Sequence, residues 1–125
     1  MEKLNWIGKK NPISKKDITL KYHRNKKQYV TITVRNGKDR LLSKTGYVEV
    51  AVYAERLYFK SSSEKYGYKL QGTVDCYNKT VQIQDRIVNW FAGYHEGDYD
   101  LKYDDEMLYY YIEYEPNGYR RYNGK

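Results

Sequence analysis

Apolar and polar side chains alternate along 18–22 (Ile18, Leu20 and Tyr22 against Thr19 and Lys21) and again along 30–34 (Val30, Ile32, Val34 against Thr31 and Thr33). That period of two marks strands with one buried face, and the polar stretch 23–27 between them predicts a β-hairpin with a basic tip. Asn36-Gly37 then predicts a turn, and 38–43 fits either a strand or a short helix. Val48, Val50 and Val52 alternate with Glu49 and Ala51, a turn is expected at Ala54-Glu55, and Leu57–Phe59 completes a second hairpin. The serines at 61–63 read as a connector, and 66–72 as an edge strand. Val81 and Ile83 form a further strand. Asp85 is placed to cap a short helix carrying Ile87, Val88, Trp90 and Phe91, which Gly93 would end. Tyr99, Leu101 and Tyr103 alternate as one strand, Asp104-Asp105 is expected to turn, and 108–114 returns.

These elements predict a strand-dominated α+β fold of twisted antiparallel hairpins with one or two short helices. One domain over 17–115 is expected, preceded by a basic arm at 1–16 and followed by a polar tail at 116–125. Shifting the chain against itself by 51 residues aligns 29–60 with 80–111 without a gap. Val30 meets Val81, Ile32 meets Ile83, Arg35 meets Arg86, Gly46 meets Gly97, Glu55 meets Glu106, Leu57 meets Leu108 and Tyr58 meets Tyr109. Each half has the order strand, helix or turn, glycine, hairpin. With Tyr29-Val30-Thr31-Ile32-Thr33-Val34 followed by Gly46-Tyr47-Val48-Glu49-Val50, that order resembles the swapped-hairpin unit of the AbrB and SpoVT transition-state regulators. The resemblance implies two interlocked β-α-β-β units, here within one chain, and a basic surface that binds DNA. Gly-Arg before the first strand and Pro within it, common in the family, are replaced here by Lys27-Gln28 and Thr33. No DNA-reading residue therefore carries over.

Composition changes the picture in three ways. Tyrosine supplies 17 of 125 residues, against two Trp and two Phe, so rings with wet hydroxyls do much of the burying. The lone cysteine, Cys76, has no disulfide partner within the chain, and no apolar stretch approaches the roughly 20 residues of a membrane span. A reduced protein in the cytoplasm of a bacterial cell is expected, as a monomer or homodimer. Charge is uneven: the net is +9 over 1–40, +2 over 41–90 and −4 over 91–125.

The basic half contains Lys9, Lys10, Lys15, Lys16, Lys21, Arg24, Lys26, Lys27, Arg35, Lys38 and Arg40, interleaved with Tyr22 and Tyr29. Cations supply the phosphate part of nucleic-acid binding and aromatic faces stack on unpaired bases, so these are the candidate nucleic-acid residues. A solvated, lysine-rich surface is the competing explanation. In the acidic half, Tyr109, Tyr111 and Glu113 fall on one strand face; with Asp98 and Asp100 they form a candidate protein interface. Asp98, Asp100, Asp104, Asp105 and Glu106 lack calcium-loop spacing, and His23, His95 and Cys76 lack zinc spacing. The three serines lack a nucleophile elbow, and no glycine-rich phosphate loop is present. No metal, no cofactor and no catalysis are expected.

Together these features predict a non-enzymatic binding protein whose basic half meets phosphate and whose Tyr-rich, acidic half meets protein. A nucleic-acid enzyme or ribonucleoprotein offers both. In size, Lys/Tyr-rich composition and lack of catalytic motifs the chain resembles accessory proteins of phages of low-GC Gram-positive bacteria, among them anti-CRISPR inhibitors that block Cas nucleases. Direct duplex binding, as by an AbrB-like regulator, is the alternative.

Overall fold

The computed structural model describes residues 16–72 and 78–115. Lys9, Lys10 and Lys15, Cys76, and the tail from Pro116 lie outside the described residues. The strands are β1 (Ile18–Arg24), β2 (Gln28–Val34), β3 (Tyr47–Tyr53), β4 (Arg56–Ser61), β5 (Tyr68–Lys69), β6 (Gln71–Gly72), β7 (Lys79–Ile83), β8 (Gly97–Tyr99), β9 (Lys102–Asp104) and β10 (Tyr109–Glu113). Two helices join them, α1 (Asp39–Leu42) and α2 (Arg86–His95). The strands form two antiparallel sheets, ordered β6-β7-β2-β1-β8 and β5-β3-β4-β10-β9. This is the strand-dominated α+β arrangement that the alternation predicts.

The inward positions are those the period of two selects. Ile18, Leu20, Val30, Ile32, Val34, Val81 and Ile83 line the inner face of the first sheet; Val48, Leu57, Phe59 and Ile112 line that of the second. Val88, Phe91 and Ala92 seal the core from α2, which packs on β1, β2 and β3. The turns follow local chemistry. Asn36 and Gly37 both adopt positive φ, and Ala54 does so at the tight β3–β4 turn. Asp85 caps α2 through one carboxylate oxygen that accepts from Ile87 N at 2.9 Å and Val88 N at 3.0 Å. Asp85→Ala is expected to cost about 1 kcal/mol in thermal or urea unfolding, with Asp85→Asn close to the parent.

The hairpins β1–β2, β3–β4 and β9–β10 pair within a half, and the two halves also pair with each other. In the first sheet β2 lies against β7 with Thr31 opposite Gln82; in the second, β4 lies against β10 with Phe59 opposite Tyr110. Each ladder contains one pair that differs by 51 positions (82 less 31, 110 less 59), as a pseudo-two-fold relation between the halves requires. Gly46 and Gly97, which the same shift aligns, both have positive φ. Of the outer strands, β1 pairs with β8 across the halves, and β5 pairs with β3.

The structure differs from the sequence reading at three elements. α2 runs through Gly93 to His95, because burial of its inward side continues past the glycine and the Tyr22 ring lies against Gly93. The strand expected over 99–103 splits into β8 and β9, which belong to different sheets. Between them the Leu101 N–H donates to Asp17 at 3.0 Å instead of to a strand. The edge strand expected over 66–72 splits likewise at Leu70, whose N–H donates to the Gly46 carbonyl at 2.8 Å. At 38–43, open between strand and helix, the chain forms α1, with Leu42 turned into the core.

Candidate functional site

The charged and aromatic residues of the basic half separate into two groups. β1 and β2 form a hairpin about 20 Å long at seven residues per strand. Arg24, Lys26 and Lys27 lie at its tip, whereas Lys16, Arg35, Lys38 and Arg40 lie at or beyond its open end. Three of the second group are engaged locally, and Arg40 is exposed beside them. Lys16 pairs with Asp100 at 3.4 Å, and Arg35 donates to Thr19. Lys38 faces Asp17, whose carboxyl is held below the usual range: burial opposes this, but the Asn36 amide, the Leu101 N–H and Lys38 outweigh it. The long basic stretch in the sequence is therefore not one surface.

Alternation also divides the tip. Tyr22 and Arg24 point to the inner side of the hairpin; Lys21, His23 and Tyr29 point outward. There His23 stacks on Tyr29 with ring centroids 4.5 Å apart and meets Thr31 at 3.0 Å. On the inner side the hairpin end stands over α2, and the two enclose an open cleft of about 1120 Å³. Tyr22, Arg24 and Gln28 form one wall; Arg86, Ile87, Asn89, Trp90, Gly93 and Tyr94 form the other, with Asp85 at the end. The Arg24 guanidinium lies over the Tyr22 ring, 5.0 Å from its centroid. The Asn89 amide ties the walls together, donating to the Gln28 carbonyl at 3.3 Å.

Trp90 and Tyr94 bring to this cleft what the hairpin lacks. Ile87, Trp90 and Tyr94 are 61%, 59% and 71% exposed, an uncommon concentration of large apolar side chains on one water-facing helix stripe. The Trp90 and Tyr94 rings are 5.6 Å apart and tilted by 60°, so they are not stacked face to face. Arg86 follows the capping Asp85 at the start of the same helix, leaving the cleft with Arg24 and Arg86 on opposite walls. Sequence reading placed Trp90 on the helix without separating it from Phe91. The signal was present: 87, 90 and 94 share one face at helical spacing, opposite 88, 91, 92 and 95.

The candidate protein-interface residues also divide. Asp98, Asp100 and Glu113 share an acidic recess of about 380 Å³ with Glu96 and Glu115, crossed by Lys16 and Lys102. No group of three or more His, Cys, Asp or Glu side chains suited to a metal ion occurs among the described residues. Tyr109 is at the other end of β10 from Glu113, half open beside Met107 and Ala51. Tyr111 corrects the expectation of an exposed contact residue. Although it points away from the core, it is only 9% exposed, because the Arg56 guanidinium closes over its ring at 4.2 Å and Tyr58 packs beside it at 5.3 Å.

That closure is held by Asp104, which accepts from Tyr58 OH at 2.9 Å and Arg56 at 3.2 Å while its other oxygen accepts from the Glu106 and Met107 N–H groups. Met107 N–H first, then the Tyr58 hydroxyl, hold the Asp104 carboxyl below its ordinary range. Because the folded value lies below the unfolded one, its stabilisation is complete above the ordinary carboxylate pKa and lost as pH falls through the lowered value. Thermal stability is expected to fall between about pH 5 and pH 2. Asp104→Asn should melt lower at neutral pH and show a shallower acid decline; an unchanged acid profile would remove Asp104 from that role.

No helix among the described residues is long and apolar enough to cross a membrane. No protein-family model, curated protein or solved structure matches this chain.

Proposed function

We propose that this chain is a non-enzymatic binding protein that acts by occupying the nucleic-acid-bearing surface of a nucleic-acid enzyme or ribonucleoprotein. A phage-encoded or mobile-element inhibitor of a Cas nuclease is the specific form of this reading. The observation that carries it is the cleft between the first hairpin and α2, where Arg24 and Arg86 line the same space as exposed Trp90 and Tyr94 and the hairpin turn adds Lys26 and Lys27 to the positive charge of that strand end. The cations supply counterion release on a phosphate backbone, and the rings supply contact area at small entropic cost. The acidic recess, with the half-open Tyr109 elsewhere on the surface, offers a second, protein-facing contact of opposite sign.

An AbrB-like DNA-binding regulator is the second reading, and the pseudo-two-fold register of the β2–β7 and β4–β10 ladders favours it. A two-fold reader of duplex DNA needs matching basic surfaces on both halves. The basic hairpin tip of the first half has no basic equivalent at the same 51-residue offset, where the sequence is Asp75-Cys76-Tyr77-Asn78. That asymmetry supports the inhibitor reading over the regulator.

The test is fluorescence anisotropy with labelled duplex DNA and single-stranded RNA at low and near-physiological salt, alongside DNA cleavage by a guide-loaded Cas9-type nuclease. Neutralising Lys21, Arg24, Lys26 and Lys27 together is expected to weaken binding or inhibition without lowering the melting temperature, since all four are surface residues. Each phosphate left without its cation should reduce the salt slope by about 0.7–0.9. Absence of nucleic-acid binding together with undiminished cleavage would refute the proposal.

A further inference from the structure

The physical chemistry of the α2 cleft specifies its occupant more narrowly than the function proposed above, on which this inference rests. We infer that the cleft takes an unpaired nucleic-acid strand, with a base stacked on Trp90 and the adjoining phosphates against Arg24 and Arg86. The argument is charge complementarity joined to the accessibility of the rings. The one carboxylate lining the cleft, Asp85, is engaged by the Ile87 and Val88 N–H groups, so the cations of the two walls and the hairpin tip dominate the local field. A polyanion is favoured there over a neutral or basic partner.

The rings then choose among polyanions. In a duplex the base faces are already stacked, and only phosphates and groove edges meet a protein, so Trp90 and Tyr94 would lose water against a charged backbone and gain nothing. In a single strand every base has a free π-face, and stacking on an aromatic side chain is favourable for all four bases. The geometry suits one base per ring: Trp90 and Tyr94 are tilted by 60° and cannot sandwich a single base between them, whereas each offers its own face. Tyr22 does not add a third platform on the side that Arg24 covers. Recognition of this kind is tolerant of sequence and graded by salt, which suits a protein that must engage a displaced or guide strand of any sequence.

The experiment uses the full chain and three labelled probes: a ten-nucleotide single-stranded DNA, the same sequence as RNA, and the same sequence as duplex DNA. Binding is read by anisotropy across salt concentration and by quenching of Trp fluorescence. The expected result is tighter binding of one or both single strands than of duplex, with quenching on binding. Trp90→Ala is expected to weaken single-strand binding about 5- to 150-fold, and Trp90→Phe to restore most of it. Charge-neutral Arg24→Gln with Arg86→Gln is expected to lower the single-strand salt slope by about 1.4. Because Trp90 is exposed, each variant should melt as the parent does, and the Phe variant reports on stacking even if the Ala variant is destabilised.

Whether DNA or RNA binds more tightly identifies the strand, and either preference supports the inference. Equal or tighter duplex binding, Trp90→Ala binding as the parent does, or displacement of the strand by a poly-glutamate peptide at matched charge would overturn it. If in those cases the four-residue hairpin variant still loses binding, the broader proposal survives as a phosphate-contacting surface. If no probe binds at low salt and nuclease cleavage is undiminished, both fall together.

Discussion

Phe91→Ala is expected to cost about 3–5 kcal/mol, which for a domain of this size removes a third or more of a typical total stability. Phe91 is fully buried, and its ring meets the edge of His95 at 4.8 Å. His95 in turn stacks on Tyr114 at 4.1 Å and pairs through Nε2 with Glu55 at 3.0 Å, while its Nδ1 is buried without a partner. Deleting the Phe91 ring opens a cavity where α2 joins the β3–β4 turn, and loosens a polar group that already lacks one hydrogen bond. The adjacent Trp90→Ala, on the water-facing stripe, is expected to change stability by no more than about 0.5 kcal/mol. Urea unfolding of the two variants side by side is the measurement. Similar losses at both positions would mean that the helix is rotated about its axis relative to this structure.

Separating the halves is expected to have a still larger effect. A polypeptide of residues 1–72 should show no cooperative unfolding transition, because β2 loses β7 along Val30–Val34 and β4 loses β10 along Arg56–Phe59. Both strands would become unpaired edges beside an apolar face deprived of Val81, Ile83, Phe91 and Ile112. Mixing in residues 73–125 should restore β-sheet circular dichroism and a single melting transition that depends on concentration, since the complementary half supplies the missing partners. A cooperative melt from residues 1–72 alone would show that the first half folds on its own and that the cross-half ladders are secondary.

These two expectations draw on different kinds of information. That Phe91 is inside was available from the chain, since 88, 91, 92 and 95 recur at helical spacing after a capping Asp85. The β1–β2 hairpin, the Asn36-Gly37 and Ala54-Glu55 turns and the inward valines of β3 were equally readable, because period-two alternation and positive-φ turn residues act within a few positions of the chain. The 51-residue repeat suggested a swapped pair of units from aligned glycines and strand patterns. The β2–β7 and β4–β10 ladders, which include Thr31–Gln82 and Phe59–Tyr110, are where the two halves meet.

The site was less legible. Arg24, Lys26, Lys27 and Tyr22 were recognisable as candidates from charge and aromatic content, but nothing within 1–40 shows that Arg35, Lys38 and Arg40 lie a hairpin's length away. Nor does local sequence show that Arg86, Trp90 and Tyr94, some 60 residues downstream, complete the cleft. Tyr111 alternates as an outward residue, yet Arg56, brought across by the β4–β10 pairing, covers it.

By itself the sequence determined the inward positions of the β1, β2, β3 and β7 strands, where most of the chain turns, that sheets dominate, and that the positive charge sits toward the N-terminal half. These follow from short-range sterics, capping and hydrophobic period. Tertiary structure alone decided that strands at 99–103 and 66–72 break to serve two sheets, that one tyrosine of the 109–114 strand is closed over, and that a basic hairpin tip meets an aromatic helix. Each depends on contacts between residues tens of positions apart, formed because two half-sheets with bare inner edges bury them only against each other.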